Sequence, residues 1–201
     1  MPADAAFVPR IAAAALLLSL FACAPATVPQ LTFEERWTEQ EVSVIVQAED
    51  LEQFLNDPIT DAAAATWTKL RAEDGSVRLA YEYFSSLHGM GLSWIVKFHA
   101  SVDAARREMA DAEAALARRE GGASDGAECI EGFYDWGDET LFAVVKVSGE
   151  PGGDFFFARY GATTVSLSLV GVYFFDGAEF HRLVGPALSN LLFYHPAGAN
   201  E

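Results

Sequence analysis

Between Ser76 and Glu120 the hydrophobic period of the chain changes from two residues to about three and a half, which rules out an all-helical or all-strand fold. Val77, Leu79, Tyr81 and Tyr83 alternate with Arg78, Ala80 and Glu82; His88–Gly91 (His-Gly-Met-Gly) supplies a turn; Leu92, Trp94, Val96 and Phe98 resume the alternation. Two such runs across a glycine turn predict a β-hairpin with one buried face. Ser101 then stands as the N-cap of a helix predicted over Val102–Glu120, where Val102, Met109 and Leu116 recur every seven residues and Gly121-Gly122 ends the run.

The rest of the chain extends this alternation of elements. Glu41–Gln47 places Val42, Val44 and Val46 on one face, as in a strand, and Ala48–Asn56 reads as a helix stopped by Asp57-Pro58. Thr60 can cap a second helix to about Leu70, with Ile59, Ala63, Trp67 and Leu70 on one stripe. Strands are expected over Leu141–Ser148, Asp154–Tyr160 and Ala162–Val172. Asp176 with Glu179 suggests a capping box for a final helix carrying Phe180, Leu183, Val184, Ala187, Leu188 and Leu191, ended by His195-Pro196. The expected class is α+β: one antiparallel sheet of about five to six strands with helices mainly on one face. The first six elements match, in order alone, the βαββαβ of ferredoxin-like folds, followed by ββα. Two strand-then-helix halves, Val77–Glu120 and Leu141–Tyr194, form the rival arrangement.

The N-terminus reads as an address. Ile11–Ala22 is a 12-residue run interrupted only by Ser19 and preceded by Arg10. A spanning helix needs roughly 20 apolar residues, so this length suits the apolar core of an export signal, residues 1–22. Leu20, Phe21, Ala22 and Cys23 resemble the lipobox of bacterial lipoproteins. The resemblance implies cleavage between Ala22 and Cys23, diacylglycerol thioether-linked to Cys23, and attachment to a membrane through those acyl chains. It places the protein in the bacterial cell envelope, at the outer membrane if the cell has two, because Ala24 stands where an aspartate retains many such proteins at the inner one. The residues alone leave open an ordinary signal peptide, with Cys23 kept as a disulfide partner of Cys129. Residues 23–30, with two prolines and no charge, read as a tether; residues 31–195 as a single domain; 196–201 as a tail.

With 13 Lys and Arg against 29 Asp and Glu, the net charge of −16 opposes nucleic acid and electrostatic docking on anionic lipid. The expected partners beyond the anchoring membrane are a protein or a small apolar ligand. No cofactor motif is present: G-x-S-x-G, G-x-x-x-x-G-K-S/T and G-x-G-x-x-G are all missing, and the four histidines show no metal-ligand spacing. The residues singled out as ligand-facing are Lys97 and His99, on the outward face of the hairpin, with Asp135, Asp138 and Glu139 in the acidic loop 125–139. The leading reading is a lipid-anchored binding or assembly module using a sheet face or an apolar groove. The alternatives are an envelope hydrolase or metal-dependent enzyme using that loop and His99, and a structural subunit of an envelope complex.

Overall fold

A computed structural model describes residues 31–33, 36–56, 58, 64–120 and 125–196; the expected signal segment, Cys23 and the tether lie outside the described residues. The domain is α+β, and the described residues form one sheet of eight strands where about five to six are expected from the sequence. In chain order the elements are β1 (Leu31–Phe33), α1 (Glu39–Ser43), α2 (Ala48–Leu55), β2 (Ala65–Ala72), β3 (Val77–Ser85), β4 (Met90–Phe98), α3 (Val102–Ala117), β5 (Gly126–Cys129), β6 (Glu139–Val147), β7 (Glu150–Tyr160), β8 (Thr163–Val170) and α4 (Gly177–Leu191). The strand order is β1-β2-β3-β4-β8-β7-β6-β5, and every neighbouring pair is antiparallel.

That order corrects the ferredoxin-like expectation, because a βαβ unit sets two strands parallel and no such pair exists here. The strands instead form two four-stranded meanders, each followed by a helix, and the last strand of each, β4 and β8, meet at the centre of the sheet. Cross-strand pairing aligns Tyr81, Trp94, Leu167, Phe156 and Phe142 in one row on one face, each at most 4% exposed. This aromatic row is the floor of the main core. Helix α4 packs on it through Phe180, Leu183, Val184, Leu188 and Leu191, and Val44–Ala48 and Leu51 complete the cover.

Helix α3 lies alone on the opposite face, where Met109 and Leu116 pack with Phe155, Phe157, Ala143 and Val170 in a second core. Ser101 accepts from the Ala104 amide as predicted, and Asp176 caps α4 by accepting from the Ala178 amide at 2.7 Å.

Two local expectations are overturned. Residues 41–47 were read as a strand, yet Thr38 and Glu41 form a capping box that starts the short helix α1. Val44, Ile45 and Val46, all at most 2% exposed, are then buried consecutively with no alternation. The helix expected up to Leu70 is strand β2 from Ala65 on; its positions 59–63 lie outside the described residues. On β2 the inward side chain at the decisive position is Lys69, whose Nζ lies 2.7 Å from the buried Glu41 carboxylate. A buried ion pair leaves no trace in a hydrophobic pattern, so the period of β2 was hidden.

Candidate functional site

A concavity lies between helices, on the covered side of the main core. Helices α1 and α2 form one wall and α4 the other, around a groove of about 720 Å³. Val42, Ile45, Val46, Leu183, Pro186 and Ala187 make its floor, and Trp37 and Phe54 stand at its sides. Each wall is fixed from beneath: Trp94 Nε1 donates to the Val44 carbonyl at 2.9 Å, the Tyr81 hydroxyl accepts from the Ala48 amide at 3.1 Å, and Asn190 Nδ2 donates to the Ser43 carbonyl at 3.0 Å. Trp37 is held edge-on against Trp67, ring centres 4.9 Å apart. The groove is therefore pre-formed, apolar at its base and of a size that takes a peptide segment or a drug-sized molecule.

The rim is acidic. Glu39 and Asp50 line it, and Arg182 is the one cation of the lining among the described residues. Arg182 is already engaged, 3.5 Å from Glu179 and over the Phe54 ring at 5.3 Å. Burial, against the Gln47 amide hydrogen bond and with Glu49 nearby, holds the Asp50 carboxyl above its usual range. Neutral or cationic groups are favoured at this mouth.

The residues singled out from the sequence lie elsewhere and divide into two clusters. Lys97 and His99 meet Glu108 of α3, which the sequence reading missed: Lys97 Nζ bonds one Glu108 oxygen and His99 Nε2 lies 2.8 Å from the other. Thr164 joins, 2.9 Å from His99 Nε2 and donating to Glu108 at 3.2 Å. Burial raises the Glu108 pKa, but the bonds from His99 and Lys97 outweigh it and bring the group down to about 2. A depressed acid lends stability above its unfolded pKa, which is lost as pH falls toward the folded value. Glu108→Gln is therefore expected to cost roughly 2–3 kcal/mol at neutral pH, by urea denaturation, and to flatten the loss of Tm between about pH 5 and pH 2.

Asp138 and Glu139 are tied to Arg159, itself 3% exposed. Its guanidinium grips Glu139 through Nη2 at 2.9 Å and Nε at 3.2 Å, and Asp138 through Nη1 at 2.7 Å. Asp138 also accepts from the Gly161 amide at 2.9 Å, which, ahead of Arg159, lowers its pKa. These carboxylates fasten the acidic loop to the β7–β8 turn; Asp135 is exposed on the loop outside that clamp. The loop seats through Gly137, at φ +77°, where an added Cβ would stand 2.4 Å from the Arg159 carbonyl oxygen. Gly137→Ala is expected to cost about 1–3 kcal/mol, read from the urea midpoint, by breaking that seat.

Among the described residues no three His, Cys, Asp or Glu side chains gather as a metal ion requires, and no helix is long and apolar enough to cross a membrane. Among the described residues Cys129 has no disulfide partner; its thiol is half-buried, with its pKa raised by burial and then by Glu120 and Glu113. Compared with known proteins, the chain matches no family model, no curated protein and no solved structure.

Proposed function

We propose that this is a lipid-anchored binding protein of a bacterial cell envelope, held to its membrane by acyl chains on Cys23 and receiving a cationic, amphipathic segment of a partner protein in the α1/α2–α4 groove. The observation that carries the binding reading is the groove itself: a pre-formed apolar floor with Glu39 and Asp50 on its rim and its single lining cation already paired. Apolar side chains of the partner gain roughly 25 cal/mol per Å² of surface removed from water, and basic residues meet the rim carboxylates. The anchoring reading rests on the Ile11–Ala22 run and the lipobox residues Leu20–Cys23, and the envelope location, at the outer membrane if the cell has two, rests on the same segment with Ala24. Two or three acyl chains, at about 0.8 kcal/mol per buried methylene, hold such a domain at the membrane surface.

The two halves are tested separately. Intact mass of the membrane-extracted protein is expected to show a chain beginning at Cys23 and carrying diacylglycerol; an unmodified chain retaining residues 1–22 overturns the anchor. For the groove, the full chain is titrated with a short Leu/Lys amphipathic peptide, with a Leu/Glu peptide as control. Saturable binding of the first alone, weakened about tenfold or more by the exposed rim substitutions Glu39→Lys with Gln53→Lys, supports the reading. Equal binding of the two peptides, or of neither, sinks it.

A further inference from the structure

Beside the Glu108 cluster, at the end of the sheet where β1 enters, lies a second, smaller cleft of about 130 Å³. Arg78, Lys97 and His99 line it together with Ser76, and Leu70 and Ala72 contribute apolar wall. Arg78 and Lys97 are directly opposite each other in the β3–β4 register. Like charges at such a pair are destabilising, and the sheet keeps them. Glu108 neutralises Lys97 and bonds His99. Among the described residues, the Arg78 Nε is buried from solvent and makes no hydrogen bond. A buried donor on a guanidinium left unpaired costs free energy that only an acceptor restores. The nearby Asp74 carboxylate is occupied by the amide and hydroxyl of Ser76, at 2.9 and 2.6 Å.

We propose that this cleft is an anion site for a phosphate group, with Arg78 as the principal donor and Lys97, shared with Glu108, as a flanking charge. A guanidinium offers a planar fork that matches phosphate oxygens, and a cavity of this volume takes one such group with little else. The net charge of −16 works against anions at long range, but several donors close together in a cleft with apolar walls act at short range, where dielectric screening is weakest. The site is independent of the helical groove.

Two sources share this chemistry: free phosphate, and the phosphodiester of a phospholipid headgroup. Leu31 pairs with Ala72, which also lines the cleft, and Cys23 is eight residues upstream of Leu31. Eight residues span at most about 28 Å, so a lipid anchor on Cys23 would keep the cleft within reach of headgroups.

The test uses the full chain in a nonionic detergent, titrated first with inorganic phosphate and then with dihexanoyl-phosphatidylglycerol, following the His99 ring and arginine Nε–H signals by NMR. Saturable binding of phosphate with a dissociation constant of about 1 mM or tighter is expected, weakened roughly tenfold by Arg78→Gln and less by Arg78→Lys. Tighter binding of the lipid than of phosphate identifies the headgroup as the source, and the reverse identifies the free anion. Thermal melting of both variants checks folding, and if Arg78→Gln unfolds, Arg78→Lys carries the comparison. Absence of saturation by either probe, or binding unchanged in the folded Arg78 variants, overturns the site.

Discussion

Replacing Trp94 by alanine is expected to remove about 3–5 kcal/mol of folding free energy, and more where the partner it leaves behind stays unpaired. The side chain is 0% exposed and sits in the Tyr81–Trp94–Leu167–Phe156–Phe142 row, so its loss opens a cavity beneath Val44. Its Nε1 also provides the hydrogen bond that holds the Val44 carbonyl, so the same substitution releases the segment between α1 and α2. A folded domain has roughly 5–15 kcal/mol of total stability, so the shift in urea midpoint will be large. Trp94→Phe, which keeps most of the ring volume, is expected to lose less stability while still loosening the groove wall. Because Val44 is continuous with Ile45 and Val46 of the groove floor, both variants are also expected to weaken binding there.

The second large effect runs with pH. Asp154, on β7, is 0% exposed; Oδ2 accepts from the Phe174 amide at 2.7 Å and Oδ1 makes no hydrogen bond. Burial pushes its pKa up to about 7, only partly opposed by the Phe174 amide. The folded state therefore holds a proton that the unfolded chain releases near pH 4, and the stability so gained is complete at low pH and is lost as pH rises through about 7. The contribution is on the order of 4 kcal/mol between those limits. Asp154→Asn keeps the acceptor for Phe174 and cannot ionise. It is expected to raise Tm at about pH 8 relative to the parent protein and to match it only near pH 3, below the unfolded pKa, by differential scanning calorimetry. A Tm difference that does not change with pH would show that Asp154 does not titrate in this window. Phe174 is the inward residue between exposed Tyr173 and Phe175, so ionisation of Asp154 is expected to loosen that aromatic segment first.

Those features that a hydrophobic period records were legible in the sequence. The hairpin of β3 and β4, helix α3 behind Ser101, the strands β6 to β8 and helix α4 behind Asp176 all combine an apolar face with a turn or cap residue, and they lie where the pattern placed them. What escaped was specified by tertiary partners. Strand β2 carries its inward charge at Lys69 because Glu41 waits beneath it, and β5, four residues long, is too short to show a period. The seven residues from Glu41 to Gln47 alternate well enough for a strand, yet the Thr38–Glu41 box and the cover required over Trp94 decide otherwise.

The candidate sites were legible only in part. Lys97 and His99 were drawn out by their place on the outward face of β4, and the structure brings both to one cluster. Glu108 was hidden as one acid among several on the polar side of α3, and nothing local to it marks the two cations it meets. Asp138 and Glu139 read from the sequence as ligand-facing acids of the 125–139 loop; their partner Arg159 is 20 or more residues along the chain, a separation no local pattern spans. The helical groove belongs to no single segment, since its walls are α1 and α2 on one side and α4 on the other, and helix packing alone creates it.

Binding of a cationic amphipathic segment in the groove between α1, α2 and α4 is read out by the fluorescence of Trp37, which lines it. The full chain and its Trp37→Phe variant are titrated in parallel with the Leu/Lys peptide, so that their difference reports the groove alone. The account predicts a saturable change that disappears in Trp37→Phe, weakens about tenfold in Glu39→Lys with Gln53→Lys, and is absent with the Leu/Glu peptide. A change of equal size with both peptides, or no difference between the parent chain and Trp37→Phe, would contradict it.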